Sequence, residues 1–117
     1  MDKSHIRRAL TNLLENAANA VSEHPDAKNR VGLIKLVVDM SQSGRLLLSI
    51  EDNGVGIAED VDLDKLFDPY VTTRKKGTGL GLAIVRRVMD QHGGQIKLCR
   101  REEGGTKVEL SLPTIHT

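Results

Sequence analysis

Between Ser4 and Glu23, apolar residues return every three or four positions, at Ile6, Leu10, Leu13, Ala17 and Val21. That spacing gathers them on one face of an amphipathic helix, with Ser4 as its N-cap and Pro25 past its end. Residues 31–40 change to period two, with Ile34, Leu36, Val38 and Met40 sharing a face. Ser43-Gly44 is a turn signal, and Leu46 to Asp52 forms a second strand, so the two runs predict a hairpin. Residues 53–79 keep no period: glycines stand at both ends, Pro69 lies in the middle, and a short helix is expected around Asp62–Leu66. So long a connection inside a compact domain is usually a functional loop or lid.

Helical spacing resumes from Leu80 to His92, with Ile84, Val85, Val88 and Met89 inward and Arg86, Arg87 and Asp90 outward. Gly93-Gly94 ends that helix. Gln95–Arg101 and Thr106–Leu112 read as a second hairpin around Gly104-Gly105. The order α, β, β, lid, α, β, β predicts an α+β fold. It is a two-layer sandwich, with helices on one face of a mostly antiparallel mixed sheet.

Composition narrows the function classes. A chain of 117 residues fits one domain. Its 17 basic and 16 acidic residues leave a net charge of +1, so no global field draws it to nucleic acid or a membrane surface. No apolar run reaches the roughly 20 residues a membrane span needs, and no signal peptide opens the sequence, so a cytoplasmic domain is expected. Cys99, the lone cysteine, reads as core filler in a reducing compartment. The only aromatics, Phe67 and Tyr70, fall in one four-residue stretch of the lid, which leaves an aliphatic core.

Several residues break this pattern. Asn12, Asn16 and Asn19 stand at i, i+4 and i+7, one stripe beside the apolar face of the first helix. Asparagine is a mediocre helix former. The stripe is either a solvated face with local hydrogen bonds or a row of amide oxygens suited to a hard cation such as Mg²⁺. Alternation places Asp52 on the face of Leu46, Leu48 and Ile50, where an unpaired carboxylate costs several kcal/mol. Either the strand stops at Glu51 and Asp52 caps a turn, or the carboxylate meets a ligand beside Gly54 and Gly56. Thr106, inward by the same alternation, is a second polar group near it. Gly77-Thr78-Gly79-Leu80-Gly81-Leu82 opens a helix, whose N-terminal N–H groups favour phosphate. It matches neither a Walker loop nor a dinucleotide fingerprint. Arg74-Lys75-Lys76 before it is a solvated charge run or a phosphate clamp. His5, His24, His92 and His116 show no metal-site spacing.

Five motifs in order resemble a known family. Asn12-Leu13-Leu14-Glu15-Asn16-Ala17 is similar to its N box and Asp52-Asn53-Gly54-Val55-Gly56 to its G1 box. Phe67-Asp68-Pro69-Tyr70 is similar to the F box, Gly77 to Leu82 to the G2 box, and Gly104-Gly105-Thr106 to the motif of the last hairpin. Together they resemble the catalytic ATP-binding domain (Bergerat fold) of bacterial sensor histidine kinases, of nitrogen-regulation flavour. The wider family includes gyrase, Hsp90 and MutL.

The resemblance implies ATP and Mg²⁺ as cofactors. Asn16 would ligate the metal with Asn12 assisting, and these two are the expected catalytic residues. Asp52 would accept from the adenine amine, while Gly54 and Gly56 let the ring approach. Residues 58–78 would form the ATP lid, hinged at Phe67 and Tyr70, with Lys75 or Lys76 near phosphate and N–H groups from Gly79, Leu80, Gly81 and Leu82 holding the phosphates. Asn19, Ile57, Gly77, Thr78 and Thr106 complete the expected nucleotide contacts. Many relatives carry a basic residue where Asn19 stands.

The phosphoacceptor histidine is missing: His5 does not sit in such a motif. The resemblance therefore implies an N-terminally truncated piece of a dimeric, membrane-anchored kinase. The γ-phosphoryl group would pass to a histidine on a separate dimerisation and phosphoacceptor helical domain, with a response regulator downstream. The alternatives are an ATP-hydrolysing clamp of the same superfamily and a non-catalytic nucleotide-binding module. Hydrolysing members place a glutamate four residues before the metal-binding asparagine, and here that position is Asn12, which cannot take a proton.

Overall fold

The computed structural model describes residues 3–41, 43–68 and 81–113. Two helices, α1 (Lys3–Ser22) and α2 (Gly81–Gln91), lie over a sheet built from β1 (Ile34–Met40), β2 (Arg45–Asp52), β3 (Gln95–Arg100) and β4 (Thr106–Pro113). The strand order is β1-β2-β4-β3. All three ladders are antiparallel, so the described sheet contains no parallel pair. Both expected hairpins form. Gly44 turns the first with φ 84°, and Gly104 and Gly105 turn the second with φ 98° and 97°. These values are open to glycine without the Cβ clash other residues meet.

The core lies between helices and sheet and is aliphatic. Ala9, Leu13 and Ala17 of α1 meet Val85, Val88 and Met89 of α2 over Leu48, Ile50, Leu110 and Leu112. The buried stripe of α1 runs through its alanines, and Ile6, Leu10 and Val21 flank it half-buried. Small side chains at Ala9, Ala17 and Ala20 let the helix sit close to its neighbours. The α2 residues divide as the spacing predicts, with Val85, Val88 and Met89 buried and Arg86, Arg87 and Asp90 exposed. Gly93, at φ 70°, ends the helix, and Gly94 N–H returns to the Met89 carbonyl at 2.7 Å.

Three expectations need correcting. Helix α1 already includes Lys3, so Ser4 lies inside it instead of capping it. The first strand starts at Ile34, because Asn53 captures the preceding segment: its side chain accepts from Leu33 N–H at 2.8 Å and donates to the Val31 carbonyl at 2.9 Å. Cys99 is not core filler. It pairs with Lys107 on the sheet face away from the helices and is half-buried, whereas its neighbour Leu98 is buried on the helix face.

Candidate functional site

Asp52 ends β2, between Ile34 of β1 and Thr106 of β4 in register. It is 6% exposed, on the helix-facing side with Leu48 and Ile50. The strand therefore does not stop at Glu51; it carries the carboxylate inward. Asp52 Oδ1 accepts from Gly54 N–H at 2.9 Å, which orients the group and starts the turn. The turn-capping and inward-facing readings of Asp52 are thus both true of one side chain.

The loop after Asp52 is wedged between two backbones. Val55 N–H donates to the Ala20 carbonyl at 2.9 Å. A Cβ on Gly54 would collide with the Ala20 backbone, so only glycine permits this approach to α1. On the other side Gly105, at φ 97°, lies so close that a Cβ there would run into the Asp52 carbonyl. The Gly104-Gly105 hairpin thus presses on the back of the Asp52 peptide, and its following residue is Thr106.

Asn12, Asn16 and Asn19 are all half-buried along α1. The Asn12 Nδ2 atom is buried and has no hydrogen-bond partner among the described residues. An orphaned amide of this kind costs about 1–3 kcal/mol, so it marks a place where a polar ligand would be welcome. Asn16, one turn further, offers a neutral oxygen donor of the hard type that Mg²⁺ takes, so the residues present fit a cation with its waters. Among the described residues no cluster of three or more His, Cys, Asp or Glu could hold a metal.

Residues 57–68 run along β3. Leu63–Phe67 makes a short 3₁₀ turn whose N-cap, Asp62, accepts from Asp64 N–H at 3.0 Å. Leu66 and Phe67 are buried against Leu98, with Ile57 and Leu82 packed alongside. Arg86 stacks its guanidinium 5.3 Å from the Phe67 ring centre. Phe67 is thus held by apolar side chains and a cation. Tyr70 and the residues from Lys75 to Leu80 lie outside the described residues; Gly81 opens α2.

Two residues with work at this site escaped the sequence reading. Arg100 donates its Nε to the Ile57 carbonyl at 3.1 Å and Nη2 to the carbonyls of Ala58 and Val61. Arg101 donates to the Asp52 carbonyl at 2.9 Å and pairs with Glu51 at 3.3 Å and Glu103 at 2.8 Å. A signal existed for Arg100: alternation sets it on the face of Ile96 and Leu98, the same anomaly that singled out Asp52.

An open groove of about 430 Å³ crosses the other sheet face, between Val37, Asp39, Ser49, Lys97, Lys107 and Glu109. Glu109, 3.1 Å from Lys107, raises that ammonium above its ordinary pKa. Asp52 points away from this groove, which carries an ordinary solvated ion pair, Lys107 with Glu109.

The family described as Histidine kinase-, DNA gyrase B-, and HSP90-like ATPase matches residues 1–116. The chain belongs to this family. It is 43% identical over 113 residues to nitrogen regulation protein NtrY of Azorhizobium caulinodans, covering 95% of this chain and 14% of that one. It is 39% identical to sensor histidine kinase ZraS of Escherichia coli, over 96% of this chain and 22% of that one. The chain therefore spans less than a quarter of the length of each of these two relatives. Among solved structures it is similar to the mycobacterial sensor histidine kinase MprB, with TM-score 0.80 and 29% identity over 97% of this chain and 74% of that one. The catalytic domain of histidine kinase ThkA aligns with TM-score 0.76 and 34% identity, over 97% and 68% of the two chains. Full-length ShkA, solved in complex with AMPPNP, aligns with TM-score 0.74 and 30% identity over 96% and 22%. The fold is that of histidine kinase catalytic domains.

Proposed function

We propose that this domain binds Mg-ATP and donates the γ-phosphoryl group to a histidine on a separate dimerisation and phosphoacceptor domain of a two-component sensor kinase. The observation that carries the reading is the buried Asp52 carboxylate, oriented by Gly54 N–H at the end of a core strand whose last peptide carbonyl Arg101 holds. A carboxylate in that setting gains from a ligand bearing an N–H donor, as the adenine amine does. Gly54, Gly56 and Ile57 then wall the base.

Asn16, with Asn12 assisting, would hold the Mg²⁺, which supplies charge neutralisation to the phosphates when bound. Asn19 and Thr106 supply neutral polar contacts. Lys75, Lys76 and Gly77 to Leu82 supply cations and N–H groups to the phosphate tail. Phosphoryl transfer asks chiefly for positioning and charge stabilisation, and these residues offer both. The response regulator, a place in nitrogen regulation and a membrane-anchored dimeric parent belong to the same proposal. The clamp-type hydrolase is less favoured, because Asn12 occupies the position where a water-activating base would stand.

The test is calorimetric titration of the chain with ATP and Mg²⁺, followed by incubation with γ-labelled ATP. Binding without release of free phosphate is expected. Rapid phosphate release by the chain alone would favour the hydrolase, and absence of nucleotide binding would overturn both.

A further inference from the structure

Asp52, Thr106 and Arg100 stand in one row across the end of the sheet. Asp52 of β2 pairs with Thr106 of β4, and Thr106 pairs with Arg100 of β3. Residues directly opposite each other in antiparallel strands share a face. Arg100 therefore leaves the sheet on the side of Asp52, two strands over, roughly 10 Å away at a strand spacing of about 4.8 Å. The row has an acceptor at one end, a hydroxyl in the middle and a half-buried cation at the other.

The two adjacent arginines at this strand end differ in what they hold. Arg101 faces the other way and pairs with the carboxylates of Glu51 and Glu103. Arg100 donates to three main-chain oxygens, those of Ile57, Ala58 and Val61, on a segment that forms neither helix nor strand. Ile57 also packs on the cluster of Leu66, Phe67 and Leu98. Residues 57–67 are thus fastened at both ends, by the guanidinium at one and by the buried Leu66 and Phe67 at the other. Contacts within the chain build the wall proposed to flank the base.

We infer that Arg100 is a positioning residue for the nucleotide, a role that rests on the nucleotide reading: it fixes Ile57 and its neighbours in the arrangement the base requires, so that the ligand meets a formed wall instead of ordering one. Preorganisation of this kind raises affinity by removing an ordering cost from the binding step. The apparent affinity of a partly formed site falls by the fraction that is formed. A wall formed about one tenth of the time would therefore weaken ATP binding about tenfold. Arginine suits the task because its planar fork presents several donors at fixed angles. Lysine keeps the charge but is a point donor on a flexible stem, which does not bridge Ile57 and Val61 together.

Calorimetric titration of the wild-type chain, Arg100→Ala and Arg100→Lys with ATP and with ADP tests this. Both variants should bind about tenfold more weakly, by the same factor for the two nucleotides, because the wall serves the base they share. The Mg²⁺ dependence should persist. Amide exchange supplies a readout that a merely structural arginine would not move. ATP should leave exchange in residues 57–61 nearly unchanged in the wild type and slow it in Arg100→Ala, where ordering now accompanies binding. Retained protection of the β2 and β4 amides verifies the fold of each variant. Unchanged affinity in Arg100→Ala, full affinity in Arg100→Lys, a loss greater for ATP than for ADP, or equal protection of residues 57–61 by ATP in both chains would each overturn the role of Arg100 and leave the nucleotide reading standing. A wild-type chain that binds no ATP would overturn both.

Discussion

At the scale of single residues, Asp52 concentrates the proposed chemistry. Its neighbours leave little freedom: Gly54 bonds its side chain, Arg101 its carbonyl, and Gly105 stacks behind it. Replacing Asp52 with Asn keeps the shape but presents a donor to a donor. ATP affinity should fall by about 1–3 kcal/mol, read by calorimetry, and unchanged affinity would remove Asp52 from the site. Gly105→Ala is expected to cost stability of about 1–3 kcal/mol by urea titration, because it combines a left-handed φ with a clash against the Asp52 peptide. Asn16→Ala should abolish the Mg²⁺ dependence of ATP binding; a retained dependence would relocate the metal. Asp52 was legible because a carboxylate among period-two aliphatics is a contradiction. Arg100 posed the same contradiction, but a long cation at a strand end has many innocent explanations, and its partners are backbone carbonyls that no side-chain pattern announces.

At the scale of elements, the two hairpins, both helices and the short Leu63–Phe67 turn follow from hydrophobic period and glycine placement. What the period does not reveal is which loop leans on which strand. Arg100 ties residues 57–61 to the end of β3, 39 to 43 residues away in sequence, through three carbonyls. Arg100→Ala should release that segment. Amide exchange in residues 57–68 is expected to quicken by an amount corresponding to about 1–3 kcal/mol of local stability, while α2 stays protected. Equal loosening throughout the domain would mean that Arg100 supports the fold at large. Helix boundaries moved by one or two residues, the ordinary fraying uncertainty. The alanine stripe of α1 was underweighted because alanine contributes little hydropathy, although its small size decides how near the helix can come.

For the whole molecule, two layers enclose an aliphatic main core, and Phe67 fills a smaller cluster beside it. Leu13 and Leu112 are among the most enclosed side chains, and Leu13→Ala should destabilise by about 2–5 kcal/mol in chemical denaturation. A loss below 1 kcal/mol would indicate a core that collapses around the gap. The sandwich was readable from element order. One feature of α1 reaches across these scales. Asn16, proposed for the phosphate end, and Ala20, whose carbonyl holds the loop proposed to back the base, are separated by a single helical turn. A stiff rod, not a hinge, would then set the span between the two ends of the proposed ligand. One extra residue spliced between them would swing one end by about 100° relative to the other, so the gauge of this pocket is written into helical pitch.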